Sequence, residues 1–210
     1  MPQATLCLTA QRGSSISSVT SSAFQLFCAV VSCMSHLVMC TCGSPNRQDM
    51  FAQDSIDLLK RSGIDFDRLA RDGIDHADFG ELLVPSGLVL NPNIQWLSFH
   101  SGYDFGYLLK LLTCVPLPEE EDKFFRKLRT WFPCIYDVKH LMTHVDSLKG
   151  GLNKLASDMR VERRGPMHQA GSDSLLTSSV FFELRRRYFG GNVNNSKYRG
   201  VLYGLGGKPA

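Results

Sequence analysis

Two aspartates and one histidine stand at positions where folding could bring them to one site. Asp104 follows the apolar run 94–99 through a glycine-containing turn and opens a helical pattern. Asp173 lies in the first turn of the last long helical pattern, five residues after His168. Residues five apart do not share a helix face, so we place His168 in the loop before that helix, from which it can reach over to Asp173.

Each of these residues has an ordinary structural explanation, and the combination suggests a chemical one. An aspartate at the start of a helix most often caps it, and a histidine in a loop is most often a simple polar residue. Two acids at similar junctions, with a histidine beside one of them, suggest a metal-assisted phosphodiester site. Carboxylates are the ligands that Mg²⁺ and Mn²⁺ prefer, and histidine can take a proton from water at neutral pH.

The elements that must position these residues alternate between strands and helices. Residues 94–99 and 134–138 are apolar and short, which predicts buried strands. Apolar periodicity predicts helices at 53–63, 75–87, after 101, from Pro118 to Phe132, at 148–159 and at 172–189. This alternation predicts an α/β fold with at least partly parallel strand pairing.

The composition separates the chain into unlike parts. It has 210 residues, 43% of them hydrophobic and 20% charged, with a formal charge of +3, which is ordinary for a soluble globular protein. The mild charge neither requires nor excludes a nucleic-acid partner. Residues 1–48 are rich in serine and cysteine, 49–206 form the predicted domain, and 207–210 are a tail.

The apolar stretch 23–42 raises the alternative of a targeting or membrane segment. Its interior carries Gln25, Ser32, Ser35 and His36, and no small-residue cleavage site follows it. We therefore expect no membrane association. The seven cysteines are odd in number and irregularly spaced, which argues against a disulfide framework and favours a reducing compartment.

A set of longer motifs resembles one known family. They are "WLSFHSGYDFGYLLKLLT", "WFPCIYDVKHLM", "LKGGLNKLA" and "VERRGPMHQAGSDSLLT", in that order, with "DMFAQDSIDLL" and "ELLVPSG" before them and "KYRGVLYGLG" at the end. Over about residues 49–206 the chain is similar to the Pop/Caf-type deadenylase subunit of the CCR–NOT complex, a branch of the DEDD 3′→5′ exoribonucleases. The resemblance implies a ribonuclease-H-like fold.

The same resemblance implies a function and a set of site residues. The family removes poly(A) from mRNA with two divalent cations, Mg²⁺ or Mn²⁺, held by four acids. By the matching motifs, Asp104 and Asp173 are metal ligands of the second and third motifs, and His168 is the general base. The implied partners are poly(A) RNA, the CCR–NOT scaffold subunit and a second nuclease subunit, and the implied location is the nucleus and cytoplasm.

The first motif of the family, an Asp-x-Glu pair on an early strand, is absent. No aspartate in the sequence has a glutamate two residues later, and residues 1–48 resemble nothing in the family. An alternative transcript or a mistaken gene model would explain this difference. We expect a catalytically impaired deadenylase; the alternative is a non-catalytic module that competes for partners of the complex.

The loss of the early strands has a structural consequence as well. The strand at 94–99 should lose its neighbour, which leaves a hydrophobic edge exposed to aggregation. Residues 24–32 and 36–42 could form a substitute hairpin, but the turn near Cys33–Ser35 lacks Gly, Asn or Asp. We therefore expect the edge to stay open and the ribonuclease-H-like domain to be incomplete.

Two further groups of charged residues could belong to the site or have a purely structural role. Asp137 lies at the end of the strand at 134–138, a position that suggests a ligand, but we expect it to cap the next turn. Arg163 and Arg164, together with Arg185–Arg187, could attract RNA phosphates. Arginines at an exposed helix end are equally typical of a favourable interaction with the helix dipole.

Overall fold

A computed structural model describes the backbone of residues 27–28 together with residues 53–205. Three strands form one parallel sheet: β1 (Phe27–Cys28), β2 (Gln95–Ser98) and β3 (Ile135–Asp137), with β2 in the middle. The parallel α/β arrangement expected from the alternation of elements is therefore present. Each strand is short, so side chains at the ends of β2 and β3 lie close to the loops that follow.

Helices connect and flank the strands in the part of the chain that is described. Their bounds are α1 (Gln53–Arg61), α2 (Phe66–Asp72), α3 (His76–Leu83), α4 (Gly102–Thr113), α5 (Glu121–Trp131), α6 (Val138–Met142), α7 (Leu152–Asp158), α8 (Ala170–Tyr188) and α9 (Asn195–Tyr198). Within residues 53–205, no helix is both long and apolar enough to cross a membrane. Apart from β1, the apolar stretch 23–42 lies outside the described residues.

The hydrophobic core lies on both faces of the sheet. Successive side chains of a strand point to opposite faces, and accordingly Trp96 belongs to one buried cluster and Leu97 to the other. The first cluster joins β2 to α4 and α5, and the second joins it to α7 and α8. Burial of both faces explains why Trp96 and Leu97, which are neighbours on β2, are both apolar.

The edge of β2 that we expected to be open is paired in part. Phe27 is in register with Gln95 and Cys28 with Trp96, in a parallel arrangement. The expectation that residues 1–48 leave this edge unpaired is therefore wrong for β1. A strand edge presents backbone donors and acceptors that any extended segment can pair with, whatever its sequence.

Several details of the helices differ from expectation. Helix α5 begins at Glu121 instead of Pro118, after the extended residue Glu120. Leu82 was expected on the buried side of α3 with Phe79 and Leu83, but it is 63% exposed. The short helices α2, α6 and α9 were not predicted, because elements of four to seven residues show little periodicity.

Candidate functional site

A cleft of about 420 Å³ opens beside the carboxyl end of β2. Its walls come from the end of β2, the first turn of α4, the start of α7, the loop 159–169 and the first turns of α8. Asp104, His168 and Asp173 all line this cleft. The carboxyl ends of parallel strands are where ligands bind in open α/β sheets.

The first turn of α4 carries Asp104 into the cleft. The N-cap of this helix is Ser101, and Asp104 is its third residue, so Asp104 is not the N-cap that its position alone suggested. The Ser101 side chain accepts no capping bond; its hydroxyl donates instead to that of Ser98 at 2.6 Å, which ties the helix start to the strand end. This geometry fixes the backbone from which the Asp104 carboxylate reaches the cleft.

The start of α8 carries Asp173, and its carboxylate has a cationic partner. The Nη1 atom of Arg163 donates to Asp173 Oδ1 at 2.7 Å. Both side chains are mostly buried, at 17% and 15% exposure. A pair so shielded from solvent is screened less than a surface ion pair, so the charge of Asp173 is largely balanced from within the chain.

His168 lies outside α8, as expected, in the loop that leads into it. The helix begins at Ala170, and His168 is exposed with φ 60°. Positive φ is uncommon for a residue with a side chain, although histidine adopts it more readily than most. The position of His168 in a loop on the cleft wall is thus as expected, and its role as a base stays a prediction.

Asp137 does not line the cleft but holds together the turns that shape it. Its Oδ1 accepts the backbone N–H of Lys139 at 2.9 Å, which caps α6 as we expected, and that of His100 at 2.8 Å. Its Oδ2 accepts the N–H of Tyr203 at 3.0 Å. The carboxylate is 1% exposed and joins the β2–α4 turn, the β3–α6 turn and the C-terminal segment.

Further polar groups line the cleft that sequence reasoning did not place there. They include Asn153 and Lys154 at the start of α7, together with Arg163. The sequence indicates Arg163 only as a charge that could attract RNA phosphates or interact with a helix dipole. Its contact with Asp173 spans ten residues across an irregular loop, and no periodic pattern in the sequence signals such a contact.

The arginines at the end of α8 have a structural role instead of lining the cleft. Arg186 donates to Glu183 Oε1 at 2.7 Å, and Arg187 bonds the same carboxylate and also the carbonyl of Met159. Hydrogen bonding by Arg186, with support from Arg187, lowers the pKa of Glu183 from 4.5 to about 2. These contacts pin the end of α8 to the end of α7.

We expect Glu183→Gln to lower the free energy of unfolding by about 1 kcal/mol at pH 7, a value discounted for solvent screening. Because the folded pKa lies below the unfolded one, this stabilisation is complete above pH 4.5 and is lost as the pH falls towards about 2. Urea denaturation at pH 7 and pH 3 should therefore show a smaller difference at pH 3. The exposed Glu162→Gln is the control; an equal difference at both pH values would contradict the assignment.

The described residues do not fit a centre for two divalent cations. They supply two carboxylates to the cleft, Asp104 and Asp173, where the family resemblance implies four acids. Among the described residues, no three histidine, cysteine, aspartate or glutamate side chains are grouped so that they could hold a metal ion. Asp173 is moreover already paired with Arg163.

Comparison with known proteins finds one family model and several similar relatives. The CAF1 family ribonuclease model matches residues 90–181. "Probable CCR4-associated factor 1 homolog 7" of Arabidopsis thaliana is 53% identical over 180 residues, covering 79% of this chain and 65% of the relative. "Poly(A) ribonuclease pop2" of Schizosaccharomyces pombe is 51% identical over 160 residues, covering 76% of this chain and 48% of the relative.

Solved structures of similar proteins confirm the fold class. The S. pombe Pop2p structure, in a form with Mg²⁺ and Mn²⁺ bound, matches with a TM-score of 0.72 at 51% identity, over 75% of this chain and 62% of that one. A yeast CAF1 co-crystallised with the NOT1 MIF4G domain gives a TM-score of 0.59 at 25% identity, over 74% and 62%.

These matches cover only part of each relative. The chain spans about half to two thirds of the length of the relatives that it matches. The fold is the ribonuclease-H-like fold of the Pop2 and CAF1 ribonuclease domains. Residues 90–181 thus match the CAF1 family ribonuclease model, and over about three quarters of its length this chain is similar to CCR4-associated factor 1 and Pop2 proteins.

Proposed function

We propose that this chain is a poly(A)-directed 3′→5′ exoribonuclease subunit of the CCR–NOT complex whose hydrolytic activity is severely impaired. One observation carries the proposal: Asp104, His168 and Asp173 line the same cleft in a chain whose residues 90–181 match the CAF1 family ribonuclease model. The S. pombe relative named as a poly(A) ribonuclease supports the choice of substrate. The cleft would receive the 3′ end of an A-rich RNA strand.

The chain's own residues account for the expected impairment. Asp104 and Asp173 are the acids that would contribute oxygen ligands to Mg²⁺ or Mn²⁺, the ions bound in the S. pombe structure. His168 would serve as the proton acceptor beside them. Removing a group that merely supports a metal ligand costs about 10–100-fold in affinity or activity, so the absence of two ligands should cost more.

The proposal predicts a rate of poly(A) shortening at least about 100-fold below that of the S. pombe relative on the same A-tailed RNA in Mg²⁺. Product lengths would be followed on sequencing gels at equal protein concentration. Asp104→Ala should abolish any residual shortening, and Asp122→Ala, which changes an exposed acid on α5, should leave it unchanged.

Two results would contradict this prediction in different ways. Shortening at a rate close to that of the relative, lost on Asp104→Ala, would show that the chain is a competent enzyme and refute the impairment. Residual shortening that is equal in wild type and Asp104→Ala would exclude the cleft as its source.

The alternative is a non-catalytic module that occupies binding positions in the complex. The yeast CAF1 crystallised with the NOT1 MIF4G domain supports a scaffold partner, because its fold matches this chain. Contact with a second nuclease subunit is part of the same proposal. Retention of this chain on an immobilised NOT1 MIF4G domain, without poly(A) shortening, would favour the module; shortening without retention would favour the enzyme.

We propose a location in both the nucleus and the cytoplasm, where mRNA carries poly(A). Imaging of the full chain with a small C-terminal tag would test it. Signal in both compartments supports the proposal, and signal confined to a membrane-bound organelle refutes it.

A further inference from the structure

Arg163 is held in the cleft by three parts of the chain, the starts of α7 and α8 and the Pro166 carbonyl, which accepts from Nη1 at 3.4 Å. Its Nη1 donates to Asp173 Oδ1 at 2.7 Å and to Ser172 Oγ at 2.9 Å, both at the start of α8. Its Nε and Nη2 donate to Asn153 Oδ1 at 3.0 and 2.6 Å, at the start of α7. Because bonds on several sides fix the guanidinium, its position does not depend on a flexible side chain finding its partner.

The hydrogen-bond inventory of Arg163 leaves room for a ligand. A guanidinium carries five N–H donors and is always protonated in proteins. Asn153 engages one hydrogen of Nη2, and among the described residues the second has no acceptor. Arg163 also lines the cleft. One charged donor can therefore be given to an anion without breaking any of the bonds that hold the side chain.

The residues that line the cleft carry equal numbers of negative and positive charges. Asp104 and Asp173 contribute two negative charges, and Arg163 and Lys154 contribute two positive ones. Lys154 is also bonded to Asp158, at 2.5 Å. Two acids without a cation would repel a phosphodiester, and this chain supplies such a cation from its own sequence.

We propose that Arg163 is the resident counter-cation of Asp173, so that the cleft binds the phosphodiester backbone of single-stranded RNA without a divalent ion. The inference rests on the proposed function for its ligand class and goes beyond it in the mode of binding. A divalent ion that approached Asp173 would meet the positive charge of Arg163, whose Nη1 lies 2.7 Å from Oδ1, and this repulsion weakens binding of the ion. Added Mg²⁺ therefore competes with an internal partner and does not strengthen RNA binding in the wild-type chain.

The test is the affinity of the full chain for a fluorescently labelled A-tailed RNA, measured by anisotropy in EDTA and in Mg²⁺. We expect the wild-type Kd to differ by less than about twofold between the two conditions at constant ionic strength. Arg163→Gln should raise the Kd in EDTA by about tenfold and lower the salt slope by about 1. The matched control, Arg164→Gln, removes the charge of the exposed neighbour and should change the Kd in EDTA by less than about threefold.

A second variant, Asp173→Asn, should have the opposite effect on RNA affinity in EDTA. Asp173→Asn keeps an oxygen acceptor for Arg163 but removes the negative charge, so RNA affinity in EDTA should stay or rise. A site that binds RNA through a cation on Asp173 would lose affinity on the same change. Circular dichroism and thermal unfolding of both variants confirm that the chain is folded, and Asp173→Asn decides the question if Arg163→Gln does not fold.

Each outcome separates this inference from the proposed function. A tenfold loss of wild-type affinity in EDTA, or an unchanged Kd for Arg163→Gln, overturns the role of Arg163. Equal metal-independent affinity for A-tailed and U-tailed RNA supports the role of Arg163 while refuting poly(A) preference. Poly(A) shortening with RNA binding that needs Mg²⁺ supports the enzyme and refutes the counter-cation.

Discussion

Asp137→Ala is expected to lower the free energy of unfolding by about 3–5 kcal/mol, because it leaves three backbone N–H groups without their acceptor. Those groups belong to His100, Lys139 and Tyr203, and the carboxylate that accepts them is 1% exposed. Water cannot easily replace an acceptor at that depth. The expected fall in melting temperature, followed by circular dichroism, is about 10 °C.

Two companion variants isolate the cause. Asp137→Asn retains the oxygen that serves His100 and Lys139 but turns its amide N–H₂ towards the N–H of Tyr203, so its melting temperature should lie between wild type and Asp137→Ala. Asp146→Ala, at an exposed aspartate, should lie within about 0.5 kcal/mol of wild type. Equal effects of Asp137→Ala and Asp146→Ala would show that Asp137 does not hold these turns together.

Trp96→Ala is expected to cost a similar amount, about 3–5 kcal/mol, through the cavity that it leaves in the core. Trp96 is fully buried on the central strand, with edge-to-face contacts to Phe105 at 6.4 Å and Phe132 at 5.0 Å between ring centroids. Both rings belong to the cluster that fixes α4 against the sheet. Loss of this contact should loosen the helix that carries Asp104.

Trp96→Phe tests a more specific feature of the same residue. Among the described residues, the buried Nε1–H of Trp96 has no hydrogen-bond partner, and such a donor typically costs about 1–3 kcal/mol. Phenylalanine removes that donor as well as some apolar area, so we expect a loss below about 1.5 kcal/mol. Urea denaturation would measure both variants, and a loss for Trp96→Phe equal to that for Trp96→Ala would contradict the account.

The long elements of the fold could be predicted because their apolar residues recur at a regular spacing. Helix α4 buries Phe105, Leu108, Leu109 and Leu112, the positions that the pattern indicated. Helix ends were less accurate, since propensity decides them only to within about a turn. Strand β1 could not be predicted, because two residues carry no periodicity and their pairing depends on an edge supplied by β2.

The candidate site likewise has one part that could be predicted from the sequence and one that could not. Asp104 and Asp173 could be placed together because each lies in the first turn of a helical pattern and because the motifs around them resemble the second and third motifs of the family. The contact between Arg163 and Asp173 could not, because it depends on how the loop 159–169 is folded. That loop has positive φ values at Arg160, Gly165 and His168. Of these residue types, only glycine is a signal in the sequence for such a conformation.

The positive φ of His168 also affects how its chemistry should be probed. Alanine at φ 60° removes the imidazole but disfavours the left-handed backbone, so any loss it causes would mix two origins. Asparagine tolerates that conformation and has no basic ring nitrogen. Substitutions at this position should therefore be to asparagine and to glycine. Both allow the positive φ, so the backbone conformation is kept while the proton acceptor is removed.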